Sequence, residues 1–194
     1  MRENPDISSL SPALQRVALT LRTIGNISFW LQLVLGVISI VILLAASASS
    51  GFSRQPNQAT NQGSGFGIFL AICGLVTLGV GAYFAFRYTN IAKQILSGDP
   101  DRRPSKADTL QIIRLGLIVN LVGMLLTILG AQATIGTTVL KSFAQGQGAF
   151  TTAIDPSQLV RSLDLLVVQA NTNTILAHFA GIAASLWLFN RVNR

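Results

Sequence analysis

One histidine, His178, stands in a stretch from Leu165 to Asn190 that carries no other acid or base. Neutral imidazole coordinates metals, and its charge changes near neutral pH, so His178 is a candidate metal contact. A single imidazole is an incomplete metal site, and the neighbouring donors, Gln169, Asn171 and Asn173, are amides. Other polar residues recur inside apolar runs: Gln32, Asn120, Thr127, Gln132, Asn171, Asn173 and Thr174. An amide or hydroxyl in such a setting either lines a path for a polar substrate or bonds across to a neighbouring helix.

The spacing of these residues favours helices. Gly25, Ser28, Gln32, Gly36 and Ser39 recur at steps of three and four. So do Gly116, Asn120, Gly123, Thr127, Gly130 and Thr134, and likewise Asn171, Thr174, His178, Gly181 and Ser185. Gly67, Ala71, Gly74 and Gly81 form a fourth, purely small set. Steps of three and four put each set on one side of its helix. Small residues let backbones approach closely, and polar ones bond between helices, so packing and a substrate pathway are both open readings.

Other chemistries find no support. The long apolar runs hold no Asp, Glu, Lys or Arg, against the habit of carboxylate-coupled transporters. There is no nucleophile–base pair, phosphate-cradling loop or zinc pattern, so an enzyme is not expected, nor a cofactor. The lone cysteine, Cys73, lies inside an apolar run and reads as a packing residue. The net charge is +7, but no basic stripe interleaved with stacking aromatics suggests nucleic acid.

The elements that must position these residues follow from charge placement. Half of the 194 residues are hydrophobic and 11% are charged, less than half the share in an ordinary soluble domain. Charges are missing from 23–53, 55–86, 115–140 and 165–190. Each gap exceeds the roughly 20 residues needed to cross a bilayer. The expected fold is all-α: a polytopic membrane protein with four transmembrane helices, spans about 24–46, 65–86, 110–133 and 171–189, plus short amphipathic segments. Residues 1–23 read as an N-terminal segment with a short amphipathic helix, entered at Ser11-Pro12, or equally as a basic extension of the first span, and 24–194 as a single transmembrane domain. Residues 157–170 read as a second amphipathic segment. Polar linkers are expected at 47–64 and 145–155, and Ser105 to Asp108 reads as a capping box.

Lys and Arg set the orientation. Eleven flank the N-terminus, the middle loop and the C-terminus, against three (Arg54, Lys141 and Arg161) on the other side. That imbalance places both termini in the cytoplasm. The N-terminus shows no cleavable signal or transit peptide. The expected partners are the lipid bilayer and either further copies of the chain or a larger membrane complex.

Several stretches carry a family resemblance: Phe29-Trp-Leu-Gln-Leu-Val-Leu-Gly36, Phe86-Arg-Tyr-Thr89, Arg103-Pro-Ser-Lys-Ala-Asp108, Gly116-Leu-Ile-Val-Asn-Leu-Val-Gly123, Gly130-Ala-Gln132, Val168-Gln-Ala-Asn-Thr-Asn-Thr174 and Ser185-Leu-Trp187. They extend over most of the chain. The chain resembles a family of cyanobacteria and plant plastids whose plant members are the twenty-one-kilodalton Tic proteins, also called permeases in chloroplasts. The resemblance implies four membrane helices. It also implies one of two roles, iron permeation or participation in protein import, without a residue motif for either. Lacking a plant transit peptide, the chain looks like a bacterial, cyanobacterial-type member, placed in the plasma or thylakoid membrane. That setting argues against import and leaves an iron permease or permease subunit, with a membrane scaffold or translocon-like component as the alternative.

Overall fold

The computed structural model describes residues 11–52, 62–97, 104–148 and 162–193. These form four helices: α1 (Pro12–Phe52), α2 (Gln62–Leu96), α3 (Lys106–Gly148) and α4 (Ser162–Asn193). All four are long and apolar enough to cross a bilayer. Each is packed beside the next, α4 closes back on α1, and α2 and α4 touch across the diagonal.

Polarity is inverted relative to a soluble bundle. Leu44, Phe69, Val76, Leu125 and Phe179 are all more than half exposed, as a lipid-facing surface requires. The four small and polar sets all turn inward, every member buried. They also share a seven-residue beat: Gly25, Gln32 and Ser39 on α1; Gly67, Gly74, Gly81 and Tyr88 on α2; Asn120, Thr127 and Thr134 on α3; Asn171, His178 and Ser185 on α4. A seven-residue repeat keeps one seam facing its neighbours along a left-handed bundle.

Glycines make the close approaches. A Cβ on Gly74 would strike Thr127, one on Gly81 would lie 2.7 Å from Asn120 Oδ1, and one on Gly116 would strike the Tyr88 hydroxyl. Larger side chains of one helix therefore sit over glycines of the next, which is how polar groups fit inside so narrow a bundle.

The helices are longer than the spans read from hydropathy. α3, with 43 residues, extends about 65 Å. The expected amphipathic helix within 1–23 is not a separate surface element: from Pro12 onward it is continuous with α1. Ala18 and Leu21 are fully buried against a cluster containing Ile91, Ala92, Ile95 and Leu188, so this segment continues the bundle instead of lying on the membrane. Of the linker expected at 47–64, residues 47–52 belong to α1 and 62–64 to α2; 145–148 likewise belong to α3. The second amphipathic segment is described only from Ser162, where α4 begins, so residues 157–161 lie outside the described residues.

One half of the expected capping box forms, the carboxylate pairing with the Ser105 hydroxyl. The Asp108 amide donates to Ser105 Oγ at 3.1 Å, and the Ser105 hydroxyl donates to Asp108 Oδ2 at 2.6 Å. This satisfies an otherwise unpaired N–H of the first turn of α3. Lys106 donates to the Asn193 carbonyl at 3.1 Å, tying the start of α3 to the end of α4.

Candidate functional site

The buried polar groups gather in three layers, whose side chains on α4 are Ser185, His178 and Thr174, seven and then four residues apart, or about 10 Å and 6 Å. In the first, the Tyr88 hydroxyl lies 3.2 Å from Ser185 Oγ and 3.5 Å from the Ile113 carbonyl. In the third, Ser39 donates to the Ala170 carbonyl at 3.0 Å, and Thr174 Oγ1 lies 3.1 Å from Ser39 Oγ and 2.9 Å from the same carbonyl.

The middle layer engages all four helices. Gln32 Nε2 of α1 donates to Asn120 Oδ1 of α3 at 3.2 Å. His178 of α4 places Nδ1 3.2 Å from that oxygen and Nε2 3.2 Å from the Gly74 carbonyl of α2. Asn120 Nδ2 donates to the Gly116 carbonyl at 2.8 Å. That last bond fixes the orientation of the amide, because a flipped Asn120 would set oxygen against oxygen.

Hydrogen-bond accounting in this layer is unbalanced. Both imidazole nitrogens face oxygen acceptors, yet a neutral ring donates from only one. Gln32 Oε1 is buried without a partner. The layer therefore has more acceptors than donors, which makes it attractive to a group that brings donors or positive charge. In this arrangement both ring nitrogens point at protein oxygens, so the lone pair of the unprotonated one is not directed at an open metal position. Among the described residues no three His, Cys, Asp or Glu side chains gather as metal ligands.

Of the candidates read from the sequence, Gln32, Asn120 and His178 meet in the middle layer. Thr174 joins the third layer; Asn171 is buried on the same face of α4, its Nδ2 without a partner. Thr127 is buried but bonds the Gly123 carbonyl of its own helix at 2.8 Å, adding no cross-helix bond. Two candidates lie away from the interior. Gln132 is exposed, and Asn173 is half-buried, accepting from Gln169 at 3.1 Å on the outer side of α4. Tyr88, not among those candidates, is the largest fully buried side chain among those described. Its signal was Gly116 on the facing helix, which leaves room for a phenol.

Comparison with known proteins fits this architecture. A family model described as "Protein of unknown function (DUF3611)" matches residues 11–193. Protein TIC 21, chloroplastic, of Arabidopsis thaliana is 31% identical over 189 residues, 96% of this chain. The chain spans 61% of that relative's length. No solved structure matches. A family match across all four helices, together with the Tic-like motifs now located along them, shows that this integral membrane protein belongs to the DUF3611 family.

Proposed function

We propose that the chain is a permease, or the membrane subunit of one, with iron as the cargo favoured by its family. The observation that carries this reading is the middle layer. An ionisable side chain at membrane depth is costly and points to function by default. Here it is surrounded by carbonyl oxygens in excess of donors. A cation is the species such a layer would receive, and His178, Asn120 and Gln32 are the groups that would exchange their bonds as it passed. The reading is of a non-enzymatic protein with both termini in the cytoplasm. The passage would be completed by further copies, because four helices form a thin wall.

The test is uptake of ferrous iron into liposomes containing only this protein. The expected result is flux above protein-free vesicles, abolished by His178→Ala at unchanged protein abundance. Absence of flux from well-folded protein counts against the permease.

A second reading, a membrane scaffold, draws support from the diagonal contact of α2 and α4 and from the filled interior. Purification separates the two. A uniform homo-oligomer favours the permease, and co-purification with a large complex favours the scaffold.

A further inference from the structure

We propose that the outer groove between α1 and α2 is a binding site for one anionic glycerolipid, its acyl chain in the groove and its headgroup on Arg22 and Lys93. The groove is a cleft of about 540 Å³ with an almost wholly apolar lining. On α1 it runs from Phe29 to Ile40, and on α2 from Phe86 back to Leu75. Eleven residues of helix cover about 17 Å. That length matches half of a roughly 30 Å hydrocarbon core, the depth to which one acyl chain reaches. Gly79 lies on its wall, and a Cβ added there meets nothing within 4 Å, so the space is open and not filled by the fold.

One end of the groove is built differently. Phe29 and Phe86 face each other across it with ring centroids 5.9 Å apart, an aromatic collar of the kind found at headgroup level. Beyond the collar the same helix faces continue. On α1 the steps Phe29, Asn26, Arg22 run back by three and four; on α2 Phe86, Asn90, Lys93 run on by four and three. Seven residues from Phe29 to Arg22 rise about 10 Å, the distance from acyl chain to phosphate level.

The register brings these ends together. Gly25 packs against Ala85, Tyr88 and Thr89, so Arg22 comes level with the turn that carries Lys93. Arg22 and Lys93 are exposed. Neither α1 nor α2 contains an Asp or Glu, so neither helix supplies these cations with a counter-charge of its own. Arg87 is also exposed but is turned roughly 110° from the groove's direction on α2. The groove thus presents, in order, two cations, two amides, two rings and an apolar trough. That is the order of groups along a lipid carrying a phosphate or sulfonate.

The test is native mass spectrometry of the full chain released from membranes of phosphatidylglycerol and phosphatidylcholine with identical acyl chains. The wild type should retain one phosphatidylglycerol in preference to phosphatidylcholine by roughly thirtyfold, as two basic groups at a headgroup imply. The double variant Arg22→Gln/Lys93→Gln should lose that preference. Gly79→Phe, which fills the groove at a position open in the fold, should lose retention of both lipids. Arg87→Gln should keep the preference. Equal retention of the two lipids by the wild type would overturn the proposal. So would a loss in Arg87→Gln equal to that of the double variant, since the effect would then be diffuse surface charge. A Gly79→Phe protein that retains phosphatidylglycerol as before would place the chain elsewhere and refute the groove.

Discussion

Replacing Asn120 by leucine should be the most costly near-isosteric change in the interior. Both side chains have four heavy atoms and branch at Cγ, so the variant removes hydrogen bonds without opening a cavity, while the bulkier methyls press on Gly81 and Gly181. Asn120 Oδ1 accepts from Gln32 and faces His178, each at 3.2 Å. Cross-helix bonds in membranes contribute about 0.6–1.7 kcal/mol each. Their loss also strands the Gln32 amide N–H, and a stranded buried donor costs about 1–3 kcal/mol. The expected total is about 2–6 kcal/mol. Thr127→Val removes an equally buried hydroxyl that bonds only its own helix, and should cost less than about 1 kcal/mol. Reversible unfolding of the reconstituted protein in bicelles measures both. A double-mutant cycle with Gln32→Leu should return a coupling near the single-bond value. Equal destabilisation by Asn120→Leu and Thr127→Val, or zero coupling to Gln32, would refute the claim that the middle layer joins the helices.

Glycine substitutions should separate by position. A Cβ at Gly123 strikes the imidazole of His178 and lies 2.5 Å from Thr77 Oγ1, so Gly123→Ala should destabilise by about 1–3 kcal/mol. Gly136→Ala meets open space, and should raise the melting temperature through the roughly 0.8–1.0 kcal/mol advantage of alanine in a helix. Ser105→Ala removes the cap of α3 and should lower unfolding free energy by about 1 kcal/mol, read in the same titration. Gln132→Leu, at an exposed position on α3, should leave stability and the three polar layers unchanged, which thermal unfolding followed by circular dichroism will check.

The inward turn of the four stripes was legible because glycine, serine and amides at steps of three and four have no use on a lipid-facing surface. Membrane depth was equally plain, since four charge-free runs longer than a bilayer leave no soluble alternative. The meeting of Gln32, Asn120 and His178 was not legible. Each has the right face, but which layer it joins depends on the axial stagger of the helices. Gln132 and Asn173 show the limit of residue type as evidence: both are amides within a span, yet each lies off the inward face by one helical step. The fate of residues 13–22 was hidden for another reason. A short run of leucines and arginines suits a membrane surface and a bundle extension equally. The choice falls to the partner surface at Ile91, Ala92 and Ile95, which hydropathy in the first segment does not reveal.

Under the proposed permease function, the layering bears on how cargo would move. The three layers are joined by different chemistry, so they need not respond together. The Tyr88–Ser185 layer sits within the apolar cluster of Ile91, Ile113 and Leu188, and its neutral bonds join α2 to α3 and α4. The Ser39–Thr174 layer converges on one backbone carbonyl, Ala170, and holds α1 to α4. Of the three layers the middle one alone touches all four helices and leaves an acceptor without a donor, and it holds the imidazole of His178. A species bringing donors gains most there, and the rearrangement it causes would act on every helix at once. The outer layers, whose bonds it does not alter, would keep the helices in register. A permease of this design would admit its cargo by re-pairing one layer while two others act as hinges, and the weakest point of the interior would also be the point of selection.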